Sequence, residues 1–149
     1  MNHDDQIRKP AAEASALGNR PRRWGMVDPM DPREITIELR HLRLAGLEWG
    51  PSDGRPVLAI HGWLDNAASF SGLAPRLDGC RVVALDLAGH GRSEHRPAGC
   101  SHHFVDWVPQ VLEAADALSL DRFALLGHSM GAGISSMIPA AAPGRVTRA

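Results

Sequence analysis

The stretch Phe123-Ala124-Leu125-Leu126-Gly127-His128-Ser129-Met130-Gly131-Ala132-Gly133 narrows the folds open to this chain more than any other. Four apolar residues run into Gly-x-Ser-x-Gly, and a small-residue pattern at helical spacing follows. A strand that turns sharply into a helix, with a serine at the apex, reads this way. Glycines two residues to either side let strand and helix approach without a Cβ between them. The strained apex exposes the hydroxyl, and the new helix aims free N–H groups at any oxyanion formed there. The expectation is a nucleophilic serine at position 129, set against a plain tight strand–helix contact. A dinucleotide loop over Gly131–Ser136 fails for want of a third glycine and a later acidic residue.

The rest of the chain reads as the sheet such a turn requires. Pro56–Ile60 and Arg81–Leu85 are continuous apolar runs, as in strands buried on both faces of a parallel sheet, and Leu120–Leu126 is the next. Helices are expected over Asn66–Leu77, with Pro75 disturbing its end, and over Phe104–Leu118, with Pro109 marking a kink or a late start. Another is expected over Met130–Ala142, stopping early or kinking at Pro139. Strand and helix alternate, which predicts an α/β fold with a mostly parallel sheet and helices on both faces. Ahead of this, Ile35–Leu44 alternates apolar and polar with a slip near His41, predicting an antiparallel pair that reaches Glu48-Trp49. Residues 1–33 are polar, charged and broken by proline, and read as a flexible tail before a single domain over 34–149.

Composition excludes several functions. The 149 residues carry a net charge of −1, which offers no electrostatic case for nucleic acid or a membrane surface. There is no apolar leader and no membrane-length apolar run, so a cytoplasmic protein is expected. Cys80 and Cys100 stand in no metal-like spacing and read as free thiols. The eight histidines form no metal framework, so neither metal nor cofactor is expected.

Two more loops leave the carboxyl ends of predicted strands, where the chemistry of such sheets gathers. In His61-Gly62-Trp63-Leu64-Asp65, Gly62 permits close backbone approach and the Trp63 N–H can face a ligand; a plain strand-to-helix turn is the equal alternative. In Asp86-Leu87-Ala88-Gly89-His90-Gly91-Arg92-Ser93, Asp86 and His90 invite a catalytic pairing. The favoured reading is structural, with Asp86 accepting backbone N–H bonds.

With these three loops in order, the chain resembles the α/β-hydrolase superfamily. The residues that carry the resemblance are His61-Gly62, Asp86-x-x-Gly89-His90-Gly91-x-Ser93 and Gly127-His128-Ser129-Met130-Gly131. With His61–Phe70 and His103–Val108 added, it is similar to the serine-hydrolase-like branch, from about residue 34 onward. The resemblance implies that Gly127–Gly131 is a nucleophile elbow, that Ser129 attacks an ester-like carbonyl, and that the backbone N–H groups of Trp63 and Met130 form the oxyanion hole. It also implies that His61 and His128 flank the site without serving as base. Two departures stand out. Ala88 replaces the usual proline of its loop, and the acid and His base that follow the elbow in this family have no counterpart here. Asp116 and Asp121 match neither position. The expectation is the front portion of a hydrolase fold, ending after the elbow helix and weakly active or inactive by itself. Its partner would be a small ester-like molecule, with self-association through a last strand, 121–126, left at the sheet edge. The alternative is a non-catalytic binding module that keeps this front half.

Overall fold

The computed structural model describes residues 31–149; the tail expected over 1–33, with its Arg20–Arg23 cluster, lies outside the described residues except at its end. Six strands, β1 (Arg33–Glu38), β2 (Arg43–Trp49), β3 (Arg55–Ile60), β4 (Cys80–Leu85), β5 (Phe123–Gly127) and β6 (Val146–Arg148), form one sheet in the order β1-β2-β4-β3-β5-β6. β2 is antiparallel to both its neighbours, β1 and β4, while β4, β3, β5 and β6 run parallel. The sequence slip at His41 is the hairpin turn, closed by Leu39 N–H donating to Leu42 O at 2.9 Å.

The apolar runs of β3 and β4 do bury both faces. Leu58, Ile60, Val83 and Leu85 face helices α1 (Trp107–Ala117) and α2 (Met130–Ala141), packing with Val111, Ile134 and Ile138. Val57, Ala59, Val82 and Ala84 face the other way, against Trp49, Ala67, Phe70 and Ala74. Phe70 is therefore part of the core.

Three expectations need correction. Asn66–Leu77 forms no α-helix but two short 3-10 helices, Ala67–Phe70 and Ala74–Arg76. The cause lies past the first turn, whose Ala67 and Ala68 N–H groups are capped by Asp86 and Asn66 at 2.7 and 2.9 Å as a helix start allows: Gly72 follows, and Pro75 has no N–H to give Ser71 O. At Pro139 the helix does not stop, for it runs on to Ala141 and Ala142 N–H still reaches Ile138 O at 2.9 Å. Only the bond to Ser135 O is lost. Nor is the strand before α2 the edge of the sheet: β6 follows α2 and pairs with β5 at Phe123 and Ala124. Arg145 anchors that return through Leu120 O and Asp121 O, at 2.8 and 2.6 Å. Pro109, by contrast, lies in the first turn of α1, where a missing N–H costs nothing.

On the β2–β4 side, the buried Glu48 carboxylate holds Arg33 and Arg81, each at 2.6 Å. Burial pushes its pKa up, but these two guanidiniums outweigh burial and hold it below its ordinary 4.5. A depressed carboxylate stabilises the fold fully above its unfolded pKa, and that contribution fades as pH falls through the folded value. Glu48→Ala is expected to lower stability by about 2–3 kcal/mol at pH 7. In urea titrations its deficit against wild type should shrink steadily below pH 4.5.

Candidate active site

The carboxyl ends of β3, β4 and β5 bring the three sequence loops together. Between β5 and α2, Ser129 sits at φ +52° and ψ −114°, a conformation that costs a side-chain-bearing residue about 1–3 kcal/mol. The surroundings enforce it. His128 N–H donates to Ile60 O at 3.0 Å, tying the turn to the end of β3. A Cβ on Gly127 would lie 2.6 Å from the Ala132 backbone, and one on Gly131 would lie 2.0 Å from Ile60 O. Gly131 N–H donates to His128 O and Ala132 N–H to Ser129 O, which leaves the Met130 N–H ahead of the helical ladder. The Met130 side chain is buried in the core, so only its backbone faces the site. Ser129 itself is exposed, and no described side chain hydrogen-bonds its hydroxyl.

The His61–Asp65 loop passes directly alongside. A Cβ on Gly62 would fall 3.4 Å from Ser129 Cβ and 3.1 Å from His128 Nδ1. Trp63 follows, 58% exposed, with its ring edge-on to His90 at 5.6 Å and to Trp107 at 6.5 Å. Leu64, at φ +56°, is 81% exposed. With Phe104, whose ring touches Gly133 of α2, these residues make an apolar rim beside the serine.

His61 is fully buried and acts as a clasp between loops. Burial is the largest influence on its pKa and lowers it, against the upward pull of the Gly62 carbonyl. The ring is therefore neutral and carries one N–H. Leu87 N–H donates to Nε2 at 3.0 Å, which assigns the proton to Nδ1, and Nδ1–H donates to Gly62 O at 2.7 Å.

Asp86 does structural work. Its Oδ1 accepts from Ala67 N–H at 2.7 Å and its Oδ2 from Arg92 N–H at 2.8 Å. His90 instead turns towards Ala88 O at 3.3 Å and packs on His61, so no Asp86–His90 pair forms. Ser93, absent from the sequence-based site, donates to Asp86 O at 2.5 Å and accepts from Ala45 N–H at 2.8 Å. Its only sequence signal is its place at the end of the Gly-His-Gly loop.

A cleft of about 740 Å³ opens elsewhere, between the β1–β2 hairpin and Asn66–Ala68. None of its lining residues belongs to the Ser129 turn, so this cleft is separate from the serine. Among the described residues, no group of three or more His, Cys, Asp or Glu could hold a metal ion. No described helix is long and apolar enough to cross a membrane.

Residues 55–149 match the family model described as alpha/beta hydrolase fold. Over 119 residues the chain is 45% identical to a serine hydrolase-like protein of Dictyostelium discoideum, covering 77% of this chain and 33% of that protein. A hypothetical protein from Pseudomonas aeruginosa PAO1 superposes with a TM-score of 0.74 at 54% identity, over 76% of this chain and 40% of the other. A thioesterase domain from the curacin biosynthetic pathway superposes at 0.72 with 32% identity, over 77% and 43% respectively. The chain thus spans about a third of the length of the first curated relatives it matches.

Proposed function

The chain belongs to the α/β-hydrolase family, and from that premise we propose a serine hydrolase that cleaves ester-like bonds through an acyl-enzyme on Ser129. The observation that carries the reading is the forced φ of +52° at Ser129, with the His61–Asp65 loop beside it. Ser129 Oγ attacks the carbonyl carbon as its proton passes to a base. The carbonyl oxygen gains the charge and is held by the N–H groups of Trp63 and Met130. Collapse expels the alcohol or thiol, and water then releases the acid. The relatives named as serine hydrolase-like and as a thioesterase domain support an acyl carbonyl as the substrate class.

No described side chain engages the Ser129 hydroxyl, so the base and its orienting acid are assigned to none of the described residues. An unactivated serine keeps only the residual rate supplied by the oxyanion hole and binding. The unpaired Cys80 and Cys100 support a reducing, cytoplasmic setting. That same unengaged hydroxyl favours the second reading, a non-catalytic binding module.

A fluorophosphonate probe separates the two. The hydrolase reading expects slow labelling of the full chain, mapped to Ser129 by peptide mass spectrometry and abolished in Ser129→Ala. A cooperatively folded chain whose labelling is the same in wild type and Ser129→Ala overturns it and leaves the binding module.

A further inference from the structure

A hydrogen-bond chain ends on the loop beside Ser129, and every link points the same way. Ala45 N–H donates to Ser93 Oγ at 2.8 Å, and Ser93 O–H donates to Asp86 O at 2.5 Å. That carbonyl shares its peptide group with the Leu87 N–H, which donates to His61 Nε2 at 3.0 Å. His61 Nδ1–H donates in turn to Gly62 O at 2.7 Å. Gly62 O belongs to the peptide group whose N–H is that of Trp63.

We propose that Ser93 and His61 are positioning residues, which orient and polarise the Trp63 N–H as an oxyanion donor through this relay. The proposal rests on the reading of Ser129 as a nucleophile for its catalytic consequence, though not for its geometry. Two physical steps carry it. The peptide group is planar and trans, so fixing the Gly62 carbonyl against the imidazole fixes the Trp63 N–H on the side away from it. Donors and acceptors in an unbroken chain also polarise one another, and each link strengthens the next by roughly 10–30% in buried surroundings. His61 and Ser93 are both buried, so water does not compete for the middle links. The imidazole is suited to its place: in one neutral tautomer it accepts on one side and donates on the other, which no aliphatic residue can do. The same chain explains why a serine sits at the end of the Gly-His-Gly loop, some distance from any reacting atom.

The test uses the full chain and two readouts. In proton–nitrogen correlation spectra, Ser93→Ala should move the Leu87 and Trp63 amide protons upfield together, although Ser93 touches neither. Ser93→Cys, nearly isosteric but a poorer donor, should move both part of the way. Leu87 shifting without Trp63 in both variants overturns the relay, and this readout needs no activity. In fluorophosphonate labelling, His61→Ala should slow Ser129 modification about ten- to a hundred-fold, somewhat less than deleting an oxyanion donor outright. His61→Asn, which can still donate to Gly62 O, should recover part of that loss. Equal labelling rates in wild type, His61→Ala and His61→Asn overturn the catalytic consequence. Failure of the nucleophile reading looks different: labelling then does not depend on Ser129 at all, and the Trp63 amide shift alone decides whether the relay exists.

Discussion

Gly131→Ala is expected to cost this chain more than about 4 kcal/mol, a large share of the about 5–15 kcal/mol that a small domain has in total. The added methyl carbon would sit 2.0 Å from Ile60 O and 2.7 Å from His61 O. Both atoms are backbone, at the end of the central strand β3, and neither can turn aside as a side-chain tip would. Relief requires either prising α2 from the sheet, which opens the packing of Ile134 and Ile138, or breaking the His128 N–H bond to Ile60 O. Two other glycines calibrate the result. Gly133→Ala would bring a Cβ within 3.1 Å of the Phe104 ring, a half-exposed side chain that can give way, and the helix-propensity gain of about 1 kcal/mol offsets that contact, so a change within about 1 kcal/mol of wild type is expected. Gly72→Ala meets nothing within 4 Å and should fall within about 0.5 kcal/mol of wild type. Urea unfolding followed by circular dichroism ranks the three. Equal losses at Gly131 and Gly133 would show that the contact with the end of β3 does not set the cost, since helix propensity alone makes both substitutions stabilising.

The legible and the hidden parts of this fold divide by the range of the interactions that decide them. The turn around Ser129 can be read locally, because two glycines, an apolar run before and a small-residue helix after all lie within eleven residues. The strands β3 and β4 are as clear, since burial on both faces leaves no polar alternation. Residues 66–77 are misread as an α-helix because Gly72 and Pro75 limit the segment to two short turns, which the apolar spacing around them does not register. β6 is faint for a different reason: Arg145–Arg148 reads only as the approach to a strand, because three residues carry no periodicity, and their register with Phe123 and Ala124 makes them one. At the candidate site, Ser129, Gly62 and the backbones of Trp63 and Met130 come from loops that announce themselves by glycine. His61 and Ser93 act through partners in other loops, so their residue types are visible in the sequence and their connections are not.

Asp86→Ala is the second large effect expected, and it separates architecture from acid–base chemistry. The carboxylate lies at the end of β4 with 6% of its surface exposed, and it satisfies two backbone donors, Ala67 N–H and Arg92 N–H. Removing it strands both donors in a site where a Cβ on Gly91 would already lie 2.1 Å from Oδ2, so the backbone wraps the carboxylate closely. Each stranded donor costs about 1–3 kcal/mol, which puts the combined loss near 3–5 kcal/mol. Asp86→Asn is the informative partner. An amide is the same size but offers one acceptor oxygen and turns an N–H₂ towards a backbone donor, so it should recover less than half of the loss. If Asp86 were instead the acid of a catalytic pair with His90, Asp86→Asn would fold like wild type and fail only in labelling of Ser129. The geometry argues otherwise: both carboxylate oxygens are taken by backbone, and His90 faces Ala88 O. The melting temperatures of Asp86→Asn and Asp86→Ala should therefore fall well below that of His90→Ala, whose ring is half-buried and supports no backbone donor at Asp86. A His90→Ala melting temperature as low as that of Asp86→Ala would overturn this division of labour.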